Sequence, residues 1–246
     1  MKIYFSSAQL DLEQLKDLKD VGFQGWEVIA EGRQKLNEET ISLIDYLTSS
    51  CDLEVSVHAP FSDLNIASLN KPIWEESLRQ IKTAIEAMAN YAHVLVIHPG
   101  YISSLASFCP DKALRKNKEA LTQLVRCARE HGVTATIENM VNVESLLGRF
   151  PGEIVDMRVD GLGFTFDVGH ANTADAIDSF LRLPIDHVHL HDNNGLVDEH
   201  LVLGLGTIKW SSVMRGLRRY KGVFVLESRT FEEGVQSLNH LKGITV

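Results

Sequence analysis

Short β-rich apolar runs alternate with longer amphipathic stretches from one end of the chain to the other. The strand candidates are Lys2–Phe5, Gly25–Ile29, Leu53–His58, Val94–His98, Val133–Glu138, Leu162–Asp167, His187–His191 and Val223–Glu227. Helical spacing separates them. Lys71–Tyr91 carries Ile73, Leu78, Ile81, Ile85 and Met88 along one side, and Lys118–His131 repeats Leu121, Leu124, Val125 and Ala128. Further helical patterns cover Asp11–Asp20, Glu39–Thr48, Val143–Arg158, Ala174–Leu181, Ile208–Tyr220 and Phe231–Leu241. Eight strand-helix units of about 31 residues each predict an α/β fold, a (β/α)₈ TIM barrel of minimal size. Gly22, Gly132, Gly161 and Gly222 stand just ahead of strands, where helix C-caps belong. No linker or low-complexity tract interrupts residues 1–246, so a single domain is expected. A doubly wound open sheet is the alternative, but it ordinarily carries a glycine-rich loop after its first strand. Ser6-Ser7-Ala8-Gln9 stands there instead.

Composition narrows the function classes. Hydrophobic residues make up 44% and charged residues 23%, and the net charge is −9. An acidic balance argues against a broad nucleic-acid surface. Two basic groups, Lys112, Arg115, Lys116 and Lys118, and Arg215, Arg218, Arg219 and Lys221, read as solvated helix faces. No apolar run approaches the ~18 residues of a membrane helix, and the N-terminus turns polar too early for a signal peptide. Cys51, Cys109 and Cys127 are scattered, with no CxxC pair. A cytoplasmic protein with no membrane partner is expected. A homodimer is compatible with the sequence, although no exposed stripe on it singles out an interface.

The strand ends carry the chemistry. The third ends in His58, the fourth in His98, the fifth in Glu138 and the sixth in Asp167, with His170 three residues on. The seventh carries His189, and the eighth ends in Glu227. A single histidine at a strand end is ordinarily a hydrogen-bonded structural residue. Six consecutive strands ending in metal-capable groups are different, because in a barrel these ends converge on one mouth. Ionisable groups gathered there are costly unless paired or bound to a cation. Mixed imidazole and carboxylate ligands suit Zn²⁺, Mn²⁺, Fe²⁺ or Co²⁺ better than Ca²⁺. Asp198 and His200, on the loop after strand seven, could grip a further cation with His170. His187 is expected inside the barrel and His191 near substrate at the rim.

In this order, HAPFSDLNIAS, IHPG, IEN, FDVGHAN, HLHDNNGLVDEH and LES resemble the xylose isomerase-like TIM barrels, a superfamily that also contains endonuclease IV. The resemblance runs from strand two to strand eight. Its sugar isomerase and 3-epimerase branch implies one divalent metal on Glu138, Asp167, His189 and Glu227. Its endonuclease IV branch implies three zinc ions. The first would lie on His58, His98 and Glu138, the second on Glu138, Asp167, His189 and Glu227, and the third on His170, Asp198 and His200.

Several residues depart from the endonuclease pattern. Phe61 stands in place of a tyrosine, and the interval from His58 to Asn65 is one residue longer. Phe166 and Gly169 replace cysteines. The loop Asp192-Asn193-Asn194-Gly195 is short, and Glu199 puts an acid where a phosphate backbone would lie. GWEVI, with Glu27, looks like the sugar isomerase branch.

The resulting expectation is an isomerase or epimerase acting on a sugar or sugar phosphate through a metal-stabilised enediolate. Glu138 and Glu227 would exchange the proton as catalytic groups. Between one and three divalent ions, Zn²⁺ or Mn²⁺, would be the cofactor. Glu27, Asn65, His191 and Lys209 are the candidate substrate contacts. The alternative is a trinuclear zinc phosphodiesterase, and only that reading makes nucleic acid a partner.

Overall fold

The computed structural model describes residues 1–9 and 12–244. Eight parallel strands close into a barrel in sequence order: β1 (Lys2–Ser6), β2 (Gly25–Ile29), β3 (Glu54–His58), β4 (Ala92–Ile97), β5 (Thr134–Glu138), β6 (Gly163–Asp167), β7 (His187–Leu190) and β8 (Val223–Glu227). The last closes the ring on the first, with Ser6 in register with Glu227. The open doubly wound sheet is thereby excluded.

Two-residue alternation gives each strand one face to the barrel axis and one to the helices. The outward face is apolar: Phe5, Trp26, Val28, Val57, Ile97, Ile137, Phe166, Val188 and Leu226 are all buried. The inward face is polar over much of its length. Barrel interiors are ordinarily filled by branched apolar side chains; here Glu27, Ser56, Thr136, Thr165, His187 and His189 are buried instead. These groups satisfy one another where they can. Thr136 and Thr165 share a 2.6 Å hydrogen bond, and Ser56 donates to Glu27 at 2.8 Å.

Helices α1 (Leu18–Val21), α2 (Glu38–Ser50), α3 (Lys71–Met88), α4 (Pro110–Glu130), α5 (Pro151–Asp156), α6 (Val168–Thr173), α7 (Ile177–Phe180), α8 (Trp210–Gly216) and α9 (Phe231–Gly243) form the outer layer. The helix α3 buries Trp74, Leu78, Ile81, Ile85 and Met88, spaced three or four residues apart. Ile73 falls off that stripe and is exposed, contrary to the sequence reading. The helix α4 is longer than expected, because Pro110 starts it eight residues ahead of Lys118, at a position where a proline costs no hydrogen bond.

The expected helix Asp11–Asp20 opens at Asp11, outside the described residues; Leu12–Asp17 is 3₁₀ and only Leu18–Val21 is α-helical. Of Val143–Arg158, only Pro151–Asp156 is helical. The rest of that stretch is not α-helical. Ala174–Leu181 reduces to α7, while α6 begins directly at the end of β6, before the predicted start.

Candidate metal centre

The strand ends bring their ionisable groups to one place. Glu138, at the end of β5, is 1% exposed and sits among four imidazoles. Its Oε2 lies 3.2 Å from His58 Nε2 and 3.3 Å from His98 Nε2. Its Oε1 lies 3.3 Å from His170 Nδ1 and 3.4 Å from His189 Nδ1. That same Nδ1 of His189 faces Glu227 Oε1 at 3.3 Å and Asp167 Oδ2 at 3.8 Å. One imidazole nitrogen therefore has a carboxylate from each of three strands around it. On the β7 side, Asp198 Oδ2 lies between His200 Nε2 at 3.1 Å and His170 Nε2 at 3.3 Å.

Local structure explains how each group is aimed. Asp167 ends β6 and caps α6, its Oδ1 accepting the His170 backbone N–H at 2.6 Å. Asn139, immediately after Glu138, clamps Asp167 across the strands. It donates to the Asp167 carbonyl and accepts the Asp167 N–H, both at 2.8 Å. Asp192 organises the loop that carries Asp198 and His200. Its Oδ2 accepts from the Gly204 N–H and the Trp210 indole, both at 2.8 Å. His200 holds a left-handed backbone, φ 47°, which is uncommon for a residue with a Cβ.

The charge balance follows from burial. Burial alone would push the Glu138 carboxyl up. Positive charge on His189 and bonds from His170, His189 and His58 outweigh it and hold the group well below the usual carboxylate range. Asp167 and Asp198 are likewise lowered, against their burial, by the histidines around them. Burial would pull the imidazoles down, yet the carboxylates raise His58, and raise His170 and His189 well above the ordinary value. His191 is pushed up to about 9, its burial overcome chiefly by Asp167. His98 goes the other way, because burial outweighs its contact with Glu138. With protons as the only positive charge, the cluster is balanced by imidazolium.

The donor set fits a divalent cation. Asp167 Oδ2 and His189 Nδ1 are buried polar atoms with no hydrogen-bond partner. One atom each from Glu138, Asp167 and His189 lies within 4.8 Å of the others, as does one each from His58, His98 and Glu138. Such atoms are expensive to bury unsatisfied, and oxygen and imidazole together suit transition metals.

A cavity of about 330 Å³ opens above this cluster. His58, His98, Glu138, His170, Asp198, His200 and Glu227 border it, and Ile29, Phe61, Met140 and Val141 supply apolar wall. Phe61 stacks on the His98 ring with centroids 4.6 Å apart. Arg229 is the one lysine or arginine among the described residues of the lining, and both its Nε and Nη2 are engaged by Glu233.

Four expected substrate contacts are placed elsewhere. Glu27 lies below the cavity, fully buried, since β2 presents Ile29 at the rim and Glu27 one inward position deeper. Asn65 ties the loop after β3 to the loop after β4. Its Nδ2 donates to the Tyr101 carbonyl, and its Oδ1 accepts from the Ala67 and Tyr101 N–H groups. Lys209 is exposed and precedes α8, away from the cavity. His191 is fully buried rather than at the rim, stacked on His200 at 4.0 Å with Nε2 3.1 Å from Asp167 Oδ1. The sequence assigns no site role to Phe61, Asn139, Asp192 or Arg229. Only Asn139 carried a signal, as the residue directly following a strand-end glutamate.

Residues 15–243 match the family described as xylose isomerase-like TIM barrel. The chain belongs to that family. An uncharacterized protein of Methanocaldococcus jannaschii, MJ1311, is 36% identical over 241 residues, covering 93% of this chain and 82% of the relative. Among solved structures, a D-tagatose 3-epimerase-like protein shares 34% identity at a TM-score of 0.91, covering 98% of this chain and 96% of that one. The TTHB071 protein of Thermus thermophilus, from a ZnCl₂ soak, shares 27% identity at a TM-score of 0.77, covering 100% of this chain and 98% of that one.

Proposed function

We propose that this barrel is a divalent-metal-dependent sugar isomerase or epimerase. One observation carries the reading: His189 Nδ1 faces carboxylate oxygens of Glu138, Asp167 and Glu227 at 3.4, 3.8 and 3.3 Å beneath the cavity. These four residues would hold the ion. When bound, it would draw electron density from a substrate carbonyl and acidify the adjoining C–H. Glu138 and Glu227 come from strands three places apart around the ring, so their carboxylates reach the reacting carbon from different walls. One takes the proton. The other returns a proton to the opposite face, or to the neighbouring carbon, with no net oxidation. His58, His98, His170 and His200 border the cavity and are placed to bind hydroxyls. The apolar wall of Ile29, Phe61 and Met140 suits the C–H face of a sugar and excludes water. Likeness to a D-tagatose 3-epimerase-like protein over almost the whole chain supports the same class.

Charge favours an unphosphorylated sugar. Glu138, Asp198 and Glu227 border the cavity, and Arg229 is already paired with Glu233. A phosphate dianion would find no free lysine or arginine side chain among the described lining residues to pair with. The same argument weighs against a phosphodiester substrate. The trinuclear reading nevertheless has an observation in its favour, since His58, His98 and Glu138 gather on one side and His170, Asp198 and His200 on the other.

Elemental analysis of protein purified without chelator, combined with sugar proton exchange in deuterated water, separates the two. We expect one ion per chain and deuterium entering a 2-ketohexose such as D-tagatose or D-fructose at the carbon beside its carbonyl. Three zinc ions per chain and nicking of an abasic-site oligonucleotide would overturn the proposal.

A further inference from the structure

We infer that Glu27 is a positioning residue, a carboxylate beneath the site that sets the His189 ring so that Nδ1 is the nitrogen offered to a divalent cation. The inference rests on the metal site of the proposed function but not on its substrate. Glu27 is 0% exposed and borders no part of the cavity, so a substrate in the cavity does not reach it. Its Oε2 is fixed by two donors, Ser56 Oγ and His187 Nε2, each at 2.8 Å. Its Oε1 is thereby left facing His189 Nε2 at 2.9 Å. That approach is close but off-axis, so neither atom has a well-directed hydrogen bond.

A neutral imidazole carries one N–H and one lone pair, and the partner of one nitrogen decides which is which. A buried carboxylate on the Nε2 side holds the proton there, and the Nδ1 lone pair then points to Glu138, Asp167 and Glu227. The same contact keeps the ring from turning. A carboxylate this deep is costly unless its charge is matched. His187 and His189, with Ser56, supply the match, which accounts for a polar layer where barrels ordinarily carry aliphatic residues. Anchors of this kind typically change metal affinity by about 10- to 100-fold.

The test is Glu27→Gln in the full chain, read by Zn²⁺ competition against a chromophoric chelator and by imidazole ¹⁵N shifts. We expect Zn²⁺ affinity to fall about 10- to 100-fold. The wild-type zinc form should show His189 protonated at Nε2, and the variant should lose that single tautomer. Affinity within about twofold of wild type, with the tautomer unchanged, would overturn the inference. Should Glu27→Gln not fold, Ser56→Ala keeps the carboxylate and removes one anchor. A severalfold loss of affinity is then expected, and no loss would overturn the inference. Wild-type protein that binds no Zn²⁺ would remove this inference and the functional reading together. Tight Zn²⁺ binding without sugar proton exchange would remove the functional reading alone.

Discussion

Gly169, in the first turn of α6, offers a direct test of how tightly the centre is built. A Cβ added there would lie 2.0, 2.3 and 2.4 Å from three atoms of the His191 ring. Ordinary contact needs ~3.5–4 Å, so in Gly169→Ala the ring must retreat by ~1.5 Å. It has nowhere to go without loss. His200 stacks on it at 4.0 Å, and its Nε2 sits 3.1 Å from Asp167 Oδ1. Overpacking of this kind costs ~1–3 kcal/mol, and losing a charge-assisted contact adds ~1.5–3 kcal/mol. For a domain of this size each kcal/mol lowers Tm by ~2–4 °C, so a fall of about 10 °C is expected. Thermal melting in the presence of chelator measures it. Removing the obstacle should restore part of the loss, so Gly169→Ala with His191→Ala should lie above the sum of the two single changes. A single-variant Tm within about 3 °C of wild type, with no coupling in the double variant, would refute the steric reasoning.

Two other predictions concern chemistry and pH. Glu227→Gln should lower deuterium exchange into the ketohexose by ~10²- to 10⁴-fold while the fold persists, because a positioned acid-base group contributes on that scale; exchange at the wild-type rate removes Glu227 from the reaction. In chelated protein, the folded-state value of about 9 for His191 lies above the ordinary 6.5, so its contribution is complete below pH ~6.5 and is lost as pH rises through about 9. At ~1.4 kcal/mol per pH unit the gap corresponds to ~3 kcal/mol. The difference in urea stability between wild type and His191→Gln should shrink by about that amount from pH 6 to pH 10. A flat difference contradicts the assigned environment. Taking the difference also cancels His58 and His189, which slope the same way.

Much of the molecule was legible along the chain because its signals are local. Strand alternation and helical spacing reflect which faces meet the core, and they held for all eight strands. Helix bounds were less secure. In the stretch Val143–Arg158, apolar residues at roughly helical spacing fall mostly outside a helix, and Ile73 shows how one apolar side chain can fall just off a buried stripe. The ends of the strands also disclosed the metal-capable set, since a parallel barrel must bring equivalent ends together. His58, Glu138, Asp167, His189 and Glu227 needed only their positions in the strands to be singled out.

Depth and partnership were decided by the closed ring. Inward positions two residues apart differ by ~7 Å along a strand, and the register of neighbouring strands sets which of them share a level. Glu27 therefore lies under His189 while Ile29 takes the rim, and His191 is sealed between Asp167 and His200 instead of facing substrate. Asn65 and Asp192 became loop ties because their partners arrive from other loops. Sequence alone specified the barrel and the inventory of metal-capable side chains at its mouth. Tertiary structure sorted that inventory by depth and by partner, because both depend on distances between strands that are far apart in the chain.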